Sequence, residues 1–191
     1  MRLETNIGRI AELTRQSEDD DRQYRRLLGE GRLAAGEIDA IVRRHYSAVV
    51  RQIECRECAN CCKVFRPVLK AGDVDRLAAG LGISQEVFVQ EYLAEYNEGK
   101  GYLFNRRPCP FLVKNACTVY PFRPDQCRSY PNFNRQGFVL RLEAVLSDCS
   151  ICPIAYNVYG RVKREIRERQ VSDSSSKASR AKPDAATGPE R

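Results

Sequence analysis

Four cysteines fall within eight residues, Cys55, Cys58, Cys61 and Cys62 in the run C-R-E-C-A-N-C-C, and five more follow at Cys109, Cys117, Cys127, Cys149 and Cys152. Two-residue gaps let successive thiolates curl around one small ion or cluster, because a tight turn brings their sulfurs to one side. A chain that gathers thiols in this way is expected to fold around a metal. A disulfide framework would need an oxidising compartment. The N-terminus, Met1-Arg2-Leu3-Glu4-Thr5-Asn6, shows no secretory apolar stretch, so the expectation is a cytoplasmic protein with reduced thiols. Nine cysteines cannot all pair within one chain. They can make two four-ligand sites with one left over, or one site plus structural thiols.

At 191 residues the chain is long enough for one domain with appended segments. Its apolar runs, such as Ala48-Val49-Val50, fall far short of the roughly 20 residues needed to cross a bilayer, so no membrane role is expected. Net charge is +7, of which +4 belongs to residues 161–191. The remaining charge is ordinary, and a four-thiolate centre on a divalent ion would offset it by about −2. A solvated basic C-terminus accounts for this distribution better than a nucleic-acid footprint does.

Periodicity predicts a mostly α chain. Leu3, Ile7, Ile10 and Leu13 mark a marginal helix over 2–14. The acidic run Glu18-Asp19-Asp20-Asp21 reads as a helix start or a solvated break. A stronger helix over 38–53 carries Ile38, Ile41, Val42, His45, Val49 and Ile53 on one face and leads into Cys55. His45, the single histidine, reads as a satisfied core or edge residue in preference to a ligand. Helices are also expected over 71–79, broken by Gly80 and Gly82, and after an N-cap at Ser84 with Val87, Phe88, Tyr92 and Leu93 inward. That pair has a helix-turn-helix outline, but Glu86, Glu91 and Glu95 on its second member would repel phosphate. Lys114-Asn115 between Leu112-Val113 and Ala116-Cys117 predicts a small β-hairpin, and 138–142 reads as another short strand. Pro153 suits the first position of a last helix through Ile154, Val158, Val162 and Ile166. Organisation is therefore expected as an N-terminal helical extension over 1–49, a cysteine-cluster domain over 50–170 and a disordered basic tail over 171–191.

Cys55-x2-Cys58-x2-Cys61 is the spacing with which bacterial-type ferredoxins hold three corners of a cluster, whose fourth ligand is often followed by proline. Cys109-Pro110 and Cys152-Pro153 are both candidates for that ligand. Zinc also accepts four cysteines through such knuckles, and Cys149-x2-Cys152 supplies another. A redox pair at Cys149 and Cys152 would need a strand–helix setting, which the surrounding sequence lacks. Cys62 follows Cys61 directly, so one of the two is expected to serve a second metal, a structural role or a reserve position. Pro121, Pro124 and Pro131 would fix Cys117 and Cys127 in defined turns. Arg123 and Arg128 could offset thiolate charge or hydrogen-bond to sulfur behind the ligands.

Taken in order, Cys55-x2-Cys58-x2-Cys61-Cys62, Cys109-Pro-Phe-Leu and Cys117-x-Val-Tyr-x2-Arg-Pro-x2-Cys127-Arg-x-Tyr-Pro resemble the zinc- or iron-chelating cysteine-cluster family (CxxCxxCC, YkgJ-type) over about residues 50–155. The resemblance implies a zinc or iron centre, with a 4Fe-4S cluster among the forms it can take. A related cysteine-cluster region occurs in flagellin lysine methylases, iron–sulfur proteins that use S-adenosylmethionine. This chain is shorter and carries no Gly-rich strand–turn–helix signature, so no nucleotide cofactor is expected. Hydrolytic triads and zinc-hydrolase sites also lack their parts. Three function classes stay open. The first is metal binding, delivery or sensing. The second is an iron–sulfur enzyme for electron transfer or modification of a partner protein. The third is a metal-stapled scaffold that meets a protein partner through its N-terminal helices or basic tail.

Overall fold

The computed structural model describes residues 2–180 apart from 32 and 98, with the backbone alone for 172–180. Helix α1 (Ile7–Gln16) begins at Asn6, whose side chain accepts from the Arg9 N–H at 3.0 Å. The acidic run opens a helix: α2 (Glu18–Gly29) carries four carboxylates in its first turn, at the positive end of its dipole. Helix α3 (Ala35–Val50) buries Ile38, Ile41, Val42 and Val49 and stops just before the cysteine run. Two single turns follow, α4 (Cys55–Cys58) and α5 (Asn60–Val64). Helix α6 (Ala71–Leu81) ends on Gly82 in the left-handed conformation, with φ 70°. Helix α7 (Gln85–Tyr92) is capped as expected by Ser84, which accepts from the Val87 N–H. Phe88 is fully buried there, but Val87 faces outward at 40% exposure.

Strand β1 (Leu93–Glu95) pairs antiparallel with β2 (Tyr102–Phe104), an element the sequence did not announce. The expected hairpin forms from β3 (Leu112–Val113) and β4 (Ala116–Cys117), with Lys114 and Asn115 both at positive φ. Helix α8 (Asp125–Ser129) carries Cys127. Residues 138–142 are not a strand. A 3-10 turn over Val139–Arg141 leads into α9 (Leu142–Cys149), because the buried Asp39 carboxylate accepts from the Gly137 and Phe138 N–H groups at 2.8 and 3.0 Å. With those donors engaged the segment has no ladder partner, and Leu140 points to solvent. Helix α10 (Pro153–Arg180) runs on past Val171, and residues 181–191 of the expected tail lie outside the described residues.

The fold is mostly α with two small antiparallel pairs, and it holds two apolar cores. One gathers Tyr24, Leu28 and the buried face of α3 against Phe133, Phe138, α9 and the Ile154–Ile166 face of α10. A charged network closes its edge. The buried Asp21 carboxylate accepts from Tyr159 Oη at 2.6 Å and Ser17 Oγ at 2.9 Å, and meets Lys163 Nζ, which also contacts Asp20. The second core is smaller: Leu69, Val74, Leu77, Phe88, Phe104, Phe111 and Val119 pack between α6, α7 and the strands. Cys149 and Cys152 belong to the first core, whereas Cys109 and Cys117 pack against the second. No described helix is long and apolar enough to cross a membrane.

Candidate metal centre

Local structure turns the cysteine run inward. Cys55 and Cys58 lie three apart on the single turn of α4, which puts them on one face. Ala59 then adopts the left-handed conformation (φ 50°) and its N–H bonds the Cys55 carbonyl at 3.2 Å, so the chain reverses before Cys61 and Cys62. Two long-range bonds fasten the run. Cys109 donates its N–H to the Cys62 carbonyl at 2.9 Å, and Asn60 Nδ2 donates to the Ile151 carbonyl at 2.7 Å.

The distal cysteines are positioned by their own scaffolds. Cys117 ends the hairpin opposite Leu112. Cys127 rides on α8, which is pinned to α6: the buried Asp73 carboxylate caps the Lys70 N–H at 3.1 Å and accepts from the Asp125 N–H at 2.9 Å. Gln126 Oε1 accepts from the Val68 N–H at 3.0 Å. Arg128 bonds backbone carbonyls, Arg123 at 2.9 Å and Pro121, and so stiffens the proline turn.

Six cysteines, Cys55, Cys61, Cys62, Cys109, Cys117 and Cys127, line one cavity of about 70 Å³. Phe65, Phe104, Phe111, Val119 and Tyr130 supply apolar walls, and Arg123 and Tyr120 stand on the same lining. The Arg123 guanidinium lies 3.4 Å from the Tyr120 ring centroid, with Arg56 5.7 Å from the same ring. A second, smaller cavity of about 20 Å³ is lined by Cys55, Cys58, Cys61 and Cys152. Cys149 lines neither; it is 2% exposed in the larger core. Of the two arginines singled out in the sequence, Arg123 therefore reaches the cavity wall and Arg128 serves the backbone beside it. His45 is remote from both cavities, with Nε2 2.8 Å from the Glu165 carboxylate.

The thiols do not titrate alike. Cys61 hydrogen-bonds to both Cys55 and Cys62, which holds those two down at about 7 with help from the Arg123 charge, and raises Cys61 itself. Burial pushes Cys109 up to about 11 and Cys127 up to about 12, and raises Cys117. Cys152 is pushed up to about 12 by burial, although its Sγ accepts from the Ala155 N–H at 3.5 Å. All nine cysteines are free thiols. The donor set fits a soft-metal centre: thiols only, apolar walls, and room beyond the 10–15 Å³ or so that one water needs. Tyr130 lies on both cavities, and its buried hydroxyl faces the Asp148 carboxyl. Among the described residues, no three Cys, His, Asp or Glu side chains already converge closely enough to hold one ion.

A family profile described as "CxxCxxCC: Putative zinc- or iron-chelating domain" matches residues 54–153, just over half of the chain. The protein belongs to this CxxCxxCC family. The matched span opens one residue before Cys55 and closes one residue after Cys152, so it encloses every cysteine. It leaves α1 to α3 and nearly all of α10 outside the CxxCxxCC domain. The chain matches no curated protein and no solved structure. Sequence reasoning did not single out Tyr120, Tyr130, Phe65 or Arg56. The tyrosines sit in the Val-Tyr and Tyr-Pro steps of the family motif, and that was the available signal.

Proposed function

We propose that this protein holds an iron–sulfur cluster in the six-cysteine cavity and uses it to sense or deliver iron. Support comes first from the cavity itself. Cys62, Cys109, Cys117 and Cys127 line it and not the smaller one. Four thiols are what either a cluster or one tetrahedral ion takes. Room favours the cluster, since about 70 Å³ is several times what a single small occupant needs. When bound, such a cluster supplies one-electron redox chemistry.

The surrounding residues give this centre its character. Arg123 places a fixed positive charge on the wall of a thiolate cavity, which favours ionised sulfur. Phe104, Phe111 and Val119 exclude water. Cys55, exposed on the lining the two cavities share, marks the side from which an oxidant or an accepting protein would approach.

Anaerobic purification followed by metal and acid-labile sulfide analysis tests the reading. The expected result is a brown protein with sulfide and at least as much iron, the sulfide and its matching iron lost in Cys109→Ser and Cys127→Ser. A colourless protein holding zinc and no sulfide would remove the cluster and leave zinc chelation. Metal content unchanged in both variants would remove the cavity assignment as well.

A further inference from the structure

The cysteines divide by the cavity each one lines. Cys62, Cys109, Cys117 and Cys127 face only the larger cavity, and Cys58 and Cys152 face only the smaller one. Cys55 and Cys61 stand on the wall between them. The larger cavity already has four thiols of its own. Giving it the two shared ones would leave Cys58 and Cys152 as a stranded pair. Giving them to the smaller cavity completes a second set of four.

Size separates the two sites in the same direction. About 20 Å³ admits a single atom-sized occupant, by the measure that one water needs roughly 10–15 Å³. Its other walls are mainly apolar, with Ile53, Pro131, Ile151 and Ile154 on the lining. The backbone path also leads these ligands toward one place, and their side chains close on the ion as it binds. One turn of α4 aligns Cys55 with Cys58, and the reversal at Ala59 returns Cys61 toward them. Cys152 lies at the N-terminal end of the 28-residue α10, where the Ala155 N–H already points at its sulfur. The Asn60 to Ile151 bond holds these two segments together.

We infer that Cys55, Cys58, Cys61 and Cys152 form a second, closed, mononuclear site for zinc or ferrous iron, separate from the centre in the larger cavity. The inference rests on the reading above in leaving Cys62, Cys109, Cys117 and Cys127 to that first centre. On loading, four sulfur–metal bonds form and each thiol gives its proton to solvent. Four protein ligands leave no open position, so this site is structural. It ties the cysteine run to the start of α10, and hence the smaller core to the larger. Cys149, one turn away but packed in the larger core, takes no part.

Cadmium(II) is a suitable thiolate-seeking probe, titrated into the metal-free full-length chain and counted by native mass spectrometry. The wild type should take up at least two ions. Cys58→Ala should lose one and keep the rest, Cys58→His should recover it, and Cys149→Ala should lose none. Cys127→Ala should lose ions while keeping the one that Cys58 controls. A full wild-type complement in Cys58→Ala would overturn the second site alone. Loss of every ion in Cys58→Ala, with all regained in Cys58→His, would also overturn it by showing one interdependent centre. No uptake by the wild type would remove the first reading together with the second. Cadmium NMR of the wild type avoids variants that fail to fold: two distinct four-sulfur resonances are expected, and a single environment would refute the division.

Discussion

The two cores are held together by different means. The larger one joins helices of 8 to 28 residues, α2, α3, α9 and α10, through apolar faces and buried carboxylates that have partners on more than one element. The smaller one has the buried Asp73 carboxylate between α6 and α8, and otherwise relies on strands of two or three residues around α6 and α7. Such short ladders have little stability of their own. What the smaller side has instead is a ring of thiols at its boundary with the larger side. The difference teaches where folding energy resides: packing sustains the helical side, and metal binding is expected to sustain the cysteine side.

The largest effect should come from stripping the metal. Hydrogen exchange after chelation should speed up by about 100-fold or more over residues 55–64 and 109–129, with little change in α3 and the first half of α10. Uniform loss of protection would instead mean that the two sides stand or fall together. Next in size, Asp39→Ala should cost about 2–3 kcal/mol in urea titration, because it strands the Gly137 and Phe138 N–H groups. Metal content should survive that change, since Asp39 supports only the helical side.

Gly80→Ala probes the other side. A Cβ there would run into the Phe122 ring, and Phe122 precedes Arg123 on the cavity wall. Overpacking should cost about 1–3 kcal/mol and, unlike Asp39→Ala, weaken metal retention under a competing chelator. In the metal-free protein, where no thiolate bond is at stake, acid should produce the smallest effect, and through the helical side. The Arg167 and Lys163 bonds hold Asp20 down at about 2, and Arg44 with His45 and Arg169 holds Glu165 down at about 2. Folded values below the unfolded ones stabilise the protein above about pH 4.5, and that stability is lost as pH falls toward 2. After allowance for solvent screening the loss is roughly 1–2 kcal/mol in total, read as a falling urea midpoint that high salt flattens. Asp148, raised by burial, runs the other way and trims the effect.

Much of this arrangement was legible in the residues. The periodicity of Ile38–Val49 and of Ile154–Ile166 carried enough turns to mark α3 and α10, and Lys114-Asn115 marked the hairpin. The spacing of Cys55, Cys58, Cys61 and Cys62, joined to the distal motif, carried the family. Short elements with no turn signal between them were out of reach, because Leu93–Glu95 and Tyr102–Phe104 show no alternation long enough to read. Residues 138–142 misled for a related reason: an apolar run looks like a strand until a distant carboxylate, Asp39, claims its N–H groups. The division of thiols between cavities depends on the Cys109–Cys62 and Asn60–Ile151 bonds, which spacing cannot reveal. Arg123 and Arg128 look equivalent in sequence and differ only in where the proline turn aims them.

X-ray absorption at the edge of the native metal, on full-length protein kept from oxygen, tests the central claim most directly. The account predicts a first shell made of sulfur alone, at about 2.3 Å where the metal is zinc, with iron–iron scattering if the larger cavity holds a cluster. A shell of nitrogen and oxygen would contradict it, because no cysteine would then be holding the metal.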